Sequence, residues 1–127
     1  MYVKTNSGDY WVECHGTGKP IVFFHGFTGS AQTWLPLLSF FKNNECILID
    51  LPGHGQTKAL VESMEDCCCD LYSILEQLDI DKVDVIGYSM GGRTALSFAC
   101  YYPELIRTLT LESASPRVNE RERASGT

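Results

Sequence analysis

Gly87-Tyr88-Ser89-Met90-Gly91 has the residue types and spacing of G-x-S-x-G. In the right context this pattern is a nucleophile elbow, a sharp turn from strand to helix that presents a serine hydroxyl. The context is met here. Val83–Ile86 before it is an apolar run that reads as a buried strand, and a helical pattern follows from about Met90. Glycine at 87 and 91 leaves room for neighbouring backbone, and the helix start offers positive potential to a developing oxyanion. The chemistry within reach is that of an activated serine.

His25-Gly26-Phe27 follows a second apolar run, Ile21-Val22-Phe23-Phe24. A loop in that place suits the other half of an oxyanion hole, with the amide N–H of Phe27 beside that of Met90. His25 itself reads as a structural residue whose loop backbone is functional. His54, within Asp50-Leu51-Pro52-Gly53-His54-Gly55-Gln56-Thr57, reads as a loop-shaping residue near the pocket rim and not as a catalytic base.

Positioning these loops requires an α/β sheet. Met1–Thr5 and Tyr10–His15 read as two short strands joined by a turn. Ile21–Phe24, Cys46–Asp50, Val83–Gly87 and Ile106–Leu111 are apolar runs expected to form the central, mostly parallel strands. Helices are expected over Thr33–Phe41, with Pro36 in the first turn, over Ser63–Leu78, and from Met90 to Tyr102 before Pro103. In the second of these, Ser63 and Asp66 have capping-box spacing. At 100° per residue, Met64, Cys67, Cys68, Ile74, Leu75 and Leu78 fall within about 60° of Leu71. Asp66, Cys69, Asp70, Glu76 and Gln77 lie outside that stripe, so Cys67 and Cys68 are expected in the core and Cys69 in solvent.

Composition narrows the function classes. The chain has 127 residues, 44% hydrophobic and 20% charged, so it should build a core. Sixteen acidic against ten basic residues give −6 and a pI near 4.9, which argues against a nucleic-acid partner. No apolar run approaches the ~20 residues of a membrane helix, and residues 1–6 have no secretory h-region. A cytoplasmic protein with reduced thiols is the reading. The six cysteines, three of them consecutive at 67–69, include no C-x-x-C pair for a metal.

Together His25-Gly26-Phe27-Thr28-Gly29-Ser30, Asp50-Leu51-Pro52-Gly53-His54-Gly55 and Gly87-Tyr88-Ser89-Met90-Gly91-Gly92-Arg93 resemble the α/β-hydrolase superfamily. Within it, Tyr88, Arg93 and Leu111–Pro116 most resemble the 2-succinyl-6-hydroxy-2,4-cyclohexadiene-1-carboxylate synthases of menaquinone biosynthesis. The resemblance implies a cofactor-free lyase. A histidine-polarised Ser89 removes a proton from 2-succinyl-5-enolpyruvyl-6-hydroxy-3-cyclohexene-1-carboxylate, and pyruvate leaves. Phe27 and Met90 would supply the oxyanion amides. Arg93 would pair with a carboxylate of this polycarboxylate substrate, while Tyr88 and His25 would line its site. Guanidinium binds carboxylate at two points, which makes sense of a cation here in an acidic protein. Arg121 and Arg123 alternate with acids and are weaker candidates.

The triad order in this superfamily is serine, acid, histidine. His15, His25 and His54 all precede Ser89, and none follows it. The expectation is therefore the N-terminal half of a domain of about 250 residues. Residues 1–112 would form the core half and 113–127 the start of a poorly ordered lid segment. Such a piece should be inactive alone, with a sixth strand whose open edge invites self-association. Two other functions fit the same residues: a serine carboxylic-ester hydrolase, and a fragment acting only by association.

Overall fold

Each apolar run becomes a strand of one sheet. The computed structural model describes residues 1–113. The expected lid segment, with Arg121 and Arg123, lies outside the described residues except for Ser113. The strands are β1 (Tyr2–Thr5), β2 (Gly8–His15), β3 (Lys19–Phe24), β4 (Asn44–Ile49), β5 (Val83–Tyr88) and β6 (Ile106–Glu112). Helix α1 covers Met64–Gln77 and α2 covers Met90–Tyr101. The sheet order is β1-β2-β4-β3-β5-β6. The β3–β4, β3–β5 and β5–β6 pairs are parallel, and the hairpin β1–β2 joins antiparallel through β2–β4. The four expected central strands are thus the parallel part of the sheet.

Alternation along a strand sends neighbours to opposite faces. Val22 and Phe24 of β3 and Ile47 and Ile49 of β4 meet α1 and α2 through Leu71, Ile74, Leu75, Ala95 and Phe98. Burying a side chain of that size is worth about 1.5–3 kcal/mol. Ile21, Phe23, Cys46 and Leu48 face the other way, onto Ala31 and Trp34. That second layer is thinner. An apolar groove runs along it between Trp34, Leu37, Phe41, Ile86 and Tyr88.

Three local expectations are corrected. The helix expected over Thr33–Phe41 is a 3-10 helix over Ala31–Phe40. Pro36 has no N–H for an i→i−4 bond, and Ser30 and Thr33 already cap the start reciprocally. Met64, placed on the core stripe, is 40% exposed at the first position of α1. Asp70, placed off the stripe, is 2% exposed, because Tyr10 of β2 reaches that flank of the helix. Cys67 and Cys68 are buried and Cys69 is exposed, as the periodicity predicts.

Candidate active site

The carboxyl ends of β3, β4 and β5 bring three loops together. Ser89 sits between the end of β5 and the start of α2 with φ 56° and ψ −116°. A non-glycine residue in such a conformation costs about 1–3 kcal/mol, so neighbours must impose it. The Ser89 N–H donates to the Glu112 carbonyl of β6 at 2.9 Å. The Ser89 carbonyl accepts from the N–H groups of Gly92 at 2.9 Å and Arg93 at 3.2 Å. Packing adds a second constraint. A Cβ on Gly91 would run into the carbonyl oxygens of Phe24 and His25, so only glycine lets the first turn of α2 lie against the end of β3.

The loop after β3 touches the elbow. A Cβ on Gly26 would lie 2.8 Å from the Tyr88 ring and 3.5 Å from Ser89 Cβ. Phe27 comes next, with its ring 72% exposed. Among the described residues, neither the Phe27 N–H nor the Met90 N–H meets an acceptor. One of these donors follows Ser89 directly in the chain, and the other lies on the loop that touches the elbow.

His25 departs from its expected place around the substrate. Its side chain is fully buried. Its Nδ1–H donates to the Gly26 carbonyl at 2.8 Å, and its Nε2 accepts the Leu51 N–H at 2.9 Å. No polar atom of the ring is left for a ligand. Burial lowers its pKa, so it is held neutral. Its role is to tie the β3 loop to the β4 loop.

Asp50, at the end of β4, makes further ties. One carboxylate oxygen accepts the Ala31 N–H at 2.6 Å and the other the Gln56 N–H at 2.8 Å. Thr57 donates its hydroxyl to the Asp50 carbonyl. The sequence alone assigns Asp50 no part beyond its place in the motif. The available signal was an acid directly following a four-residue apolar run. His54 is a loop-shaping residue in fact, with ring nitrogens 3.0 Å from the Pro52 carbonyl and 2.6 Å from the Phe27 carbonyl.

Arg93 lies one turn into α2 and is half-buried. Among the described residues no carboxylate lies within 4.0 Å of its guanidinium; the ion pairs there are His15–Glu13 and Arg107–Asp84. Tyr88 is 42% exposed beside the elbow. Ser89 has no base among the described residues. His25 and His54 have their ring nitrogens engaged, and His15 bonds Glu13 on β2 at 3.1 Å. The arrangement can present a serine, two amide donors and a cation; it does not by itself activate the serine.

Known proteins resemble this chain in sequence and in fold. The sequence pattern of the alpha/beta hydrolase fold matches residues 19–125. A Bacillus subtilis protein named putative 2-succinyl-6-hydroxy-2,4-cyclohexadiene-1-carboxylate synthase is 46% identical over 102 residues, covering 77% of this chain and 37% of its own length. The Yersinia enterocolitica synthase of that name is 41% identical over 86 residues, covering 67% and 31%. In three dimensions, a thermophilic esterase from Thermogutta terrifontis superposes with a TM-score of 0.85 at 28% identity, covering 92% of this chain and 47% of the esterase. The chain spans less than half the length of each. Sheet order, strained serine and matched pattern agree, and the chain belongs to the α/β-hydrolase fold family.

Proposed function

We propose that this chain carries the serine half of a 2-succinyl-6-hydroxy-2,4-cyclohexadiene-1-carboxylate synthase. The reaction is removal of a ring proton from 2-succinyl-5-enolpyruvyl-6-hydroxy-3-cyclohexene-1-carboxylate, with loss of pyruvate and formation of the diene. Ser89 takes the proton when a histidine polarises it. The amides of Phe27 and Met90 hold the negative charge that develops. Arg93 pairs with a substrate carboxylate, and Tyr88 lines the site. The setting is cytoplasmic. The observation that carries this reading is the half-buried guanidinium of Arg93 one turn after Ser89, with no carboxylate within 4.0 Å of it among the described residues. A neutral ester has no use for it; a polycarboxylate does.

The test completes the domain. Residues 1–113 are fused to the remaining length of the Bacillus subtilis relative, and diene formation is followed. Turnover abolished by Ser89→Ala is expected. Arg93→Ala should remove one charge-assisted pair, about 1.5–3 kcal/mol, or roughly 10- to 150-fold in kcat/KM. Arg93→Lys should restore only part, because an ammonium lacks the planar two-point contact. Unchanged kinetics in Arg93→Ala would sink the assignment. A burst of product from an activated ester would instead favour a carboxylic-ester hydrolase, a reading supported by the likeness to the Thermogutta terrifontis esterase. The 127-residue chain alone is expected to show no efficient Ser89-dependent turnover, because no histidine follows Ser89.

A further inference from the structure

The ring of His54 bridges two backbone acceptors. Its Nε2 is 2.6 Å from the Phe27 carbonyl, and its Nδ1 is 3.0 Å from the Pro52 carbonyl. A neutral imidazole has one N–H. With two carbonyls in line, one nitrogen then turns its lone pair towards an oxygen lone pair. Only the imidazolium donates to both. Its carbonyl and N–H are also fixed, by Thr57 and Leu51 respectively, so the ring is held in place by its own loop.

We infer that His54 is a protonation-dependent latch between the β4 loop and the β3 loop, closed by two donated bonds when the ring is charged and weakened to one when it is neutral. The groups facing it are consistent with a single charge here. The His25 ring lies 5.0 Å away, centroid to centroid, from the end of β3. Both its nitrogens are engaged, and burial keeps it neutral, so it adds no like charge. Asp50, from the end of β4, spends its carboxylate on the Ala31 and Gln56 amides. Phe27 contributes an aromatic edge, with its ring 5.8 Å from that of His54. The latched atom is the Phe27 carbonyl, one residue unit from the Phe27 N–H. Closing the latch therefore sets how that N–H is presented beside Ser89. Calling that N–H an oxyanion donor rests on the proposed function; the latch itself does not.

The test is NMR on the 127-residue chain labelled with 15N, followed through a pH series that takes the His54 ring from its charged to its neutral form. On the low-pH side both His54 ring nitrogens should carry protons. The amide resonances of Phe27 and Thr28, which flank the latched carbonyl, should shift in one step with the same midpoint as the ring. His54→Gln keeps a donor but cannot titrate, and should lose the step. His15→Gln should leave it in place. A His54 ring with a single protonated nitrogen throughout, or a step that survives His54→Gln, would overturn the latch. Should His54→Gln not fold, the ring-nitrogen measurement in the unmodified chain decides alone. No substrate is used, so failure here leaves the Ser89 and Arg93 kinetics standing, and failure of those kinetics leaves the step standing.

Discussion

Asp50 and Asp70 are each 2% exposed, yet they are buried in different ways. Asp50 closes the loop end of the sheet, and both its oxygens accept backbone N–H bonds. Asp70 sits in the seam between α1 and β2 and accepts the Tyr10 hydroxyl at 2.8 Å. A carboxylate satisfied by backbone organises the chain around itself, because those amides have no other partner once the loops close. One satisfied by a phenol is half of a side-chain pair, and the pair can be replaced as a unit. The first region serves the site, and the second serves the packing.

Breaking the loop end should cost most. Asp50→Ala strands the Ala31 and Gln56 amides and is expected to lose about 3–5 kcal/mol, read from urea unfolding. No second side-chain substitution should recover that loss, because the orphaned groups are backbone. A rescue by any neighbouring replacement would erase the distinction from Asp70.

The seam should yield less and be repairable. Tyr10→Phe leaves the Asp70 carboxylate buried without its hydroxyl partner, at a cost of about 1–3 kcal/mol. Adding Asp70→Leu should return most of it, since apolar replacement of both partners is nearly neutral. A double variant no better than Tyr10→Phe would show that Asp70 is held by more than the phenol. The seam also predicts an alkaline signature. Burial and the Asp70 charge raise the Tyr10 pKa well above its usual 10.0, and burial lifts the Cys67 thiol to about 11 and the Cys68 thiol to about 12. Groups with raised folded values stabilise fully below their unfolded values, and that contribution fades as pH climbs past them. Stability should therefore fall above about pH 9, where free thiols and then phenols ionise. The fall should be shallower in Tyr10→Phe.

The smallest effect is expected at the surface. Arg107 donates to both oxygens of Asp84, at 3.0 and 2.9 Å, and holds that carboxyl below its usual pKa. A lowered folded value stabilises fully above the unfolded value, and that contribution is lost as pH falls through the folded value. Asp84→Ala should cost about 1 kcal/mol or less at neutral pH, a cost that begins to shrink near about pH 4 and is gone once the pH has fallen past the lowered folded value. A cost rivalling Asp50→Ala would mean that exposure is a poor guide in this sheet.

The strands and the elbow were legible because their signals are local. Four apolar runs gave the parallel strands, and G-x-S-x-G between a strand and a helix located Ser89. The ties between loops were not legible. Asp50 reaches Ala31 across 19 positions and His54 reaches Phe27 across 27, and no periodicity connects such pairs. Helical spacing misplaced Asp70 for a related reason. It describes one helix and one face, while Tyr10 arrives from a strand 60 positions away. Pro36 was visible, but the packing of Trp34 from that 3-10 helix onto Phe23, with ring centroids 5.1 Å apart, was not.

The bond from Ser89 N–H to the Glu112 carbonyl sets an order of events. Strand β6 is the last element of the described chain to leave the ribosome, and its final residue anchors the serine. Until Glu112 arrives and pairs beside Tyr88, nothing from that side opposes relaxation of the turn to an ordinary backbone conformation. A nascent chain that ends within α2 beyond Gly91 would already hold all of G-x-S-x-G without the bond from Glu112. The presented conformation of Ser89 is thus fixed only once β6 has been made and has paired beside β5.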